Sequence, residues 1–136
     1  MKAVTQKSKD VDIVKIHEAA ENYLETIYIV KKRLGYCRSI DVCNELGYSK
    51  PTVSVVMKDF RQNGYVVIDS HGDITLTEKG LKVAERMYER HQLLGKMLID
   101  LGVDDETAYA DACKIEHDLS EESFSKIKEH YSKMKK

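Results

Sequence analysis

The sequence predicts a mainly α fold with one small β-hairpin, and three observations carry that expectation. Apolar residues recur at steps of three and four along most of the chain, the period of a half-buried helix. Two runs rich in β-branched residues, 65–69 and 74–77, are joined by a polar loop containing Gly72 and read as a hairpin. Apolar content is 42% and charged content 33% over 136 residues, which suits one compact domain, or two small ones sharing a core, and excludes a disordered chain.

The same composition excludes several functional classes. No apolar run approaches the length needed to span a bilayer, so no membrane partner is expected. The first ten residues, M-K-A-V-T-Q-K-S-K-D, lack an apolar stretch, so no secretion signal is expected. Cys37, Cys43 and Cys113 are an odd number without a disulfide pattern, which fits a reducing cytoplasmic location. Net charge is −1, so any affinity for DNA has to come from a local basic patch.

Residues 1–12 are polar and are expected to fray. The first helix is expected from about Val14 to Arg33, with Ile16, Ala20, Tyr23, Ile27 and Val30 as its stripe and Leu24 and Tyr28 beside it. Lys31, Lys32 and Arg33 suit the negative end of the helix dipole, and Gly35 ends the helix. Ser39 is the expected cap of a short helix, Ile40–Leu46. Gly47 and Tyr48 form a turn. Ser49 caps a second helix running to about Gln62, with Pro51 in its first turn, where a missing N–H costs little. Val53, Val56, Met57 and Phe60 face inward, and Asn63-Gly64 closes the helix. A short helix, a glycine turn and a capped second helix make a helix-turn-helix, and a hairpin directly after it makes the wing of a winged helix.

Thr77 caps a long helix, about Glu78 to Leu101, with a stripe of Leu81, Ala84, Met87, Tyr88, His91, Leu94 and Leu98. A histidine on such a stripe is ordinarily a core residue satisfied by one hydrogen bond. Gly102 ends this helix, and Asp104 caps the next, about Asp105 to Asp118. Ser120 caps the last, about Glu121 to Met134, with Phe124, Ile127, Tyr131 and Met134 at helical steps and Lys135-Lys136 as a solvated tail. These elements give a mainly α chain in two parts, a winged helix-turn-helix over 1–77 and an all-helical part over 78–136.

The stretch D-A-C-K-I-E-H, 111–117, carries the chemistry. On a helix, Glu116 and His117 fall at about −60° and +40° from Cys113, so the three share one face. Thiolate, carboxylate and imidazole are the side-chain donors that suit divalent transition metals. From the residues alone, the set reads equally as a solvated Glu and His at a helix end beside a buried Cys. Three donors on one helix also leave a transition metal short of ligands, so other segments have to supply the rest.

The sequence resembles the diphtheria-toxin-repressor and manganese-transport-regulator family of metal-dependent bacterial repressors. The resemblance covers about Ala20 to His130 and rests on the order and spacing of N-Y-L-E-T-I-Y at 22–28, S-K-P-T-V-S at 49–54, L-T-E-K-G at 76–80, R-H-Q-L-L at 90–94 and C-K-I-E-H at 113–117. It implies a metal held by Glu25, His91, Cys113, Glu116 and His117, with Asn22 at a further position that is Asp in the manganese branch and Met in the iron branch. Glu25 resembles the manganese branch and Cys113 the iron branch. Gly95 stands where family members often carry an acidic residue at a second metal position. The resemblance is to a short form, so the C-terminal SH3-like domain of the long branch is not expected. Fe2+ or Mn2+ is the implied co-repressor, with Zn2+ or Co2+ able to bind in vitro. A thiolate at 113 shifts preference toward iron, cobalt or zinc and away from manganese.

A helix-turn-helix enters the major groove through the N-terminal residues of its second helix. Those residues here are Tyr48, Ser49, Lys50, Pro51, Thr52, Ser54 and Val55. Ser49, Lys50 and Thr52 suit phosphates, Pro51 and Val55 suit apolar contact such as a thymine methyl, and Lys58, Arg61 and Arg38 are candidate backbone contacts. The expected function is a homodimeric, metal-activated repressor of double-stranded operator DNA, with no small organic substrate. Two rivals remain at this point. One is a winged-helix regulator answering a small organic ligand. The other is a metalloenzyme, which lacks support from any H-E-x-x-H motif or nucleophile–base arrangement.

Overall fold

The computed structural model describes the backbone of residues 2–134 and the side chains of residues 18–134. The element order is α1 (Lys2–Leu34), α2 (Ser39–Leu46), α3 (Lys50–Gln62), β1 (Val66–Ile68), β2 (Ile74–Leu76), α4 (Glu78–Asp100), α5 (Asp105–Ile115) and α6 (Glu121–Met134). The chain forms two compact units, Met1–Glu85 and Arg86–Lys136, divided within α4.

In the first unit, Leu24, Ile27 and Val30 of α1 are buried with Val42 of α2, Val53, Met57 and Phe60 of α3, and Val66 and Ile74 of the hairpin. Phe60 sits edge-on between Tyr23 and Tyr65, with ring centroids 6.1 and 5.8 Å away. The strands pair antiparallel with Val66 opposite Leu76 and Ile68 opposite Ile74. Lys31, in the last turn of α1, anchors this hairpin by donating to Asp73 Oδ2, the Ile74 carbonyl and Thr75 Oγ1 at 2.9–3.1 Å. Cys37 lies beside the strand: its N–H donates to Asp73 Oδ1 and its carbonyl accepts from Ile74 N–H. The order helix-turn-helix then hairpin is thus a winged helix. In the second unit, Met87 and Leu94 of α4, Ala108 and Ala112 of α5 and Phe124 of α6 are buried.

Several boundaries differ from expectation. α1 begins at Lys2 rather than near Val14, because residues 2–13 contain no glycine or proline to stop a helix propagating backward. The side chain of Ile16 and the tail Lys135-Lys136 lie outside the described residues. α2 is capped one residue earlier than expected: Arg38 is the N-cap, the Asp41 carboxylate accepts its N–H, and Ser39 enters the first turn. Ile40, at the start of this helix, is 43% exposed. Ser49, Thr77 and Ser120 cap as expected, each hydroxyl accepting an N–H three residues on. Asp104 takes the N-cap position of α5 without a side-chain hydrogen bond. Phe124 of α6 is buried within the chain.

Candidate metal centre

α5 ends at Ile115, three residues short of its expected end, so Glu116 is its C-cap and His117 lies in the following turn. The Glu116 N–H still donates to the Ala112 carbonyl, which keeps Glu116 in helical register with Cys113. His91 of α4 comes to the same place, and the donor atoms of His91, Cys113 and Glu116 lie within 4.8 Å of one another. His91 Nδ1 is 3.1 Å from Glu116 Oε2. His117 stands outside that three-donor group, with Nε2 3.4 Å from Glu116 Oε1.

Glu116 decides what this cluster can do. Its side chain is fully buried, and Oε1 has no hydrogen bond among the described residues. A buried carboxylate in that position is costly unless a positive charge or donor compensates it. A divalent cation supplies that charge, and the His91–Glu116 pair has the spacing of two ligands on one ion. Two ligands each about 2.1 Å from an ion stand roughly 3–3.5 Å apart, which is the His91–Glu116 separation. Thiolate, imidazole and carboxylate are also a competent first-row donor set. The three thiols are not equivalent. Cys37 is buried and its thiol is pushed up to about 12, chiefly by burial, so it stays protonated, whereas Cys113 is partly exposed beside the imidazole and carboxylate.

Two residues not singled out as site residues support the cluster. Arg90, 3% exposed, donates to the Glu116 carbonyl at 2.9 Å, the Leu119 carbonyl at 2.6 Å and Glu121 Oε1 at 2.8 Å. Its guanidinium lies over Phe124. Tyr109 stacks on the His91 ring, with centroids 5.4 Å apart and planes 29° apart. Asn22 and Glu25 belong to α1 in the first unit, where Glu25 is buried and Asn22 is half-buried.

The start of α3 presents a separate surface. Tyr48, Ser49, Lys50, Pro51, Thr52, Ser54, Val55 and Lys58 are all exposed, Val55 by 70%, while Val53, Met57 and Phe60 bury the opposite face. The Ser49 and Thr52 hydroxyls are 2.8 Å apart. Tyr48 is held against Tyr23, with ring centroids 5.7 Å apart.

Residues 15–72 match the family model described as the iron dependent repressor N-terminal DNA binding domain. Residues 77–136 match the iron dependent repressor metal binding and dimerisation domain. The HTH-type transcriptional regulator MntR of Lysinibacillus sphaericus (strain C3-41) is 36% identical over 107 residues, covering 79% of this chain and 77% of that protein. The chain belongs to the iron-dependent repressor family. This is a family of transcriptional repressors and not of enzymes. Two solved structures show the same fold. T. acidophilum IdeR matches with a TM-score of 0.74 and 23% identity over 82% of this chain and 53% of that one. A manganese-dependent transcriptional repressor complexed with manganese matches with a TM-score of 0.68 and 26% identity over 79% and 50%. This repressor-family chain therefore spans about half the length of either solved relative.

Of the supporting residues, Arg90 left a signal in the sequence. It stands three past Met87 and four before Leu94, on the inward side of α4, where an unpaired cation is not tolerated. Tyr109 left none, since its role depends on which α4 residue it meets.

Proposed function

We propose that this protein is a cytoplasmic, homodimeric transcriptional repressor that binds double-stranded operator DNA when a divalent metal, Fe2+ or Mn2+, occupies the His91–Cys113–Glu116 cluster. The buried Glu116 carboxylate, set against His91, Cys113 and His117, carries this reading, because a cation is the partner that compensates such a group. His117 joins as a ligand or holds Glu116 through Oε1. Three protein donors leave a six-coordinate ion open, and Glu25 and Asn22 are the further ligands that the family resemblance implies. The cation supplies fixed positive charge, and the chain's own residues do the rest. Arg90 holds the backbone of Glu116, and the capped start of α3 reads DNA through Tyr48 to Val55, with Lys50 and Lys58 on phosphates. The division of labour falls at Thr77, with 1–77 as the DNA-reading part and 78–136 as the metal-binding and dimerising part.

The test is DNA binding under reducing conditions, using duplexes selected from a random pool in the presence of Mn2+ or Fe2+. Specific binding is expected to appear on addition of either metal, or of Zn2+ or Co2+, and to vanish with a chelator or in Glu116→Gln. Equal specific binding with and without metal overturns the reading.

A further inference from the structure

His91 has a second neighbour besides Glu116, and it comes from a different feature of α4. Tyr109 lies on α5, one turn before Cys113, and its ring stacks on the His91 imidazole with centroids 5.4 Å apart. The Cδ1–Cε1 edge of this ring lies against Gly95, one turn after His91 on the same helix. Gly95 is buried, and a Cβ there would overlap Cδ1 and Cε1 of Tyr109. A glycine inside a helix costs roughly 0.5–1 kcal/mol relative to alanine, so a mid-helix glycine needs a reason. Here the missing side chain makes the seat for the tyrosine ring.

The physical need for that seat follows from the freedom of a histidine side chain. The torsion that turns the imidazole plane is broad and only weakly staggered. The hydrogen-bonding contact between Nδ1 and Glu116 Oε2 fixes one ring atom but lets the ring roll about it. A flat partner on the ring face removes that rolling freedom. Building on the metal-binding reading above, we infer that Tyr109, seated over Gly95, is a positioning residue that fixes the His91 imidazole plane, so that His91 meets the same ion as Cys113 and Glu116. Support of this kind around a ligand is worth about 10- to 100-fold in metal affinity when removed.

Co2+ titration of the full chain under reducing conditions tests this, with affinity measured against a competing chelator and coordination read from the absorption spectrum. Wild type should bind Co2+ with a thiolate-to-cobalt band from Cys113. Tyr109→Phe keeps the ring and should bind like wild type. Tyr109→Leu should bind about 10- to 100-fold more weakly. Its thiolate band at saturation should persist while the ligand-field bands change, because His91 alone is misplaced; general unfolding would lower all bands together. Gly95→Ala should cost a similar factor in the wild-type background and far less in the Tyr109→Leu background, where no ring competes for the space. Tyr109→Leu binding like wild type, Tyr109→Phe binding as weakly as Tyr109→Leu, or additive effects of Gly95→Ala and Tyr109→Leu would each overturn the inference while leaving the metal site standing. If Tyr109→Leu fails to fold, wild-type affinity in Gly95→Ala overturns it. Wild type binding neither Co2+, Zn2+ nor Mn2+ overturns both this inference and the metal-dependent reading.

Discussion

Cys113 is the residue that gives this donor cluster its character. Histidine and carboxylate alone serve manganese, iron and zinc alike, while a thiolate favours the softer ions. Binding also requires the thiol to lose its proton, so the metal competes with protons for this position. Cys113→Glu removes the soft donor and keeps an anionic one. The variant is expected to gain affinity for Mn2+ relative to Zn2+ and Co2+, and to lose the thiolate-to-cobalt absorption band. An unchanged Mn2+-to-Co2+ affinity ratio in a folded variant would remove Cys113 from the ligand set. Arg90 is the other residue with a large expected effect. Arg90→Met keeps the stem but strands the Glu116 and Leu119 carbonyls and the Glu121 carboxylate contact. Leaving buried acceptors without donors costs about 1–3 kcal/mol each, so denaturant unfolding should show a loss of about 2–4 kcal/mol. Cys113, Glu116 and His117 drew attention in the sequence because donor types recur on one helix face, whereas His91 read as a core residue from its stripe and became a candidate ligand only through the family resemblance. The hydrogen bonds of Arg90 and the stacking of Tyr109 were not legible, because each depends on a contact between helices that spacing along one helix does not encode.

Among the elements, the capped helices and the hairpin were legible and their ends were less so. Ser49, Thr77 and Ser120 announced themselves because a hydroxyl before an apolar-periodic run has one favourable use. The end of α5 was misplaced because the helical pattern runs on through Glu116, while the following residues leave the helix as a turn, Asp118 N–H bonding back to Ile115. The wing carries a testable pH dependence. The Asp73 carboxyl is held below its usual range, first by the Cys37 N–H and then by Lys31, so the folded-state value lies under the unfolded one. Its stabilisation of the wing is therefore full above the ordinary carboxylate pKa and is lost as pH falls through the depressed folded value. Asp73→Asn should remove that acid-side loss and weaken the wing's attachment to α1 at neutral pH, seen as faster amide exchange at Ile74 and Thr75. Identical exchange in wild type and variant would show that the backbone contacts alone hold the hairpin. At α3, Lys50→Ala should weaken specific and non-specific DNA binding alike and flatten the salt dependence by about one phosphate contact. Thr52→Ala should weaken operator binding while metal content persists. A wild-type salt slope in the first variant, or wild-type operator affinity in the second, would move the DNA surface elsewhere.

At the scale of the whole molecule, the matched domain descriptions pair a DNA-binding part with one that binds metal and dimerises, and the proposed repressor has to connect them energetically. On α6, Ile127 and Tyr131 remain partly exposed and Met134 is 68% exposed, although Phe124 is buried within the chain. An apolar edge of this kind suits a self-complementary contact, and a two-fold dimer presents two recognition helices to half-sites one or more helical turns apart, roughly 34 Å per turn. Ile127→Lys should shift sedimentation toward monomer at micromolar concentration. It should weaken operator binding more steeply than binding to an isolated half-site. Wild type that sediments as monomer with and without metal would end the dimer reading. The metal dependence is subject to a stricter requirement. If metal tightens operator binding by some factor, the operator must tighten metal binding by the same factor, whatever structural route joins the two events. A coupling of about 1–3 kcal/mol, or 5- to 150-fold, is usual for such linkage. Metal affinity should therefore be measured with and without saturating operator, in wild type and in His91→Ala. Wild type should show equal factors in the two directions, and His91→Ala should remain folded, lose most metal affinity and show little coupling. Equal metal affinity with and without operator in wild type would reduce the ion to a structural role, because a ligand that binds both states equally shifts neither.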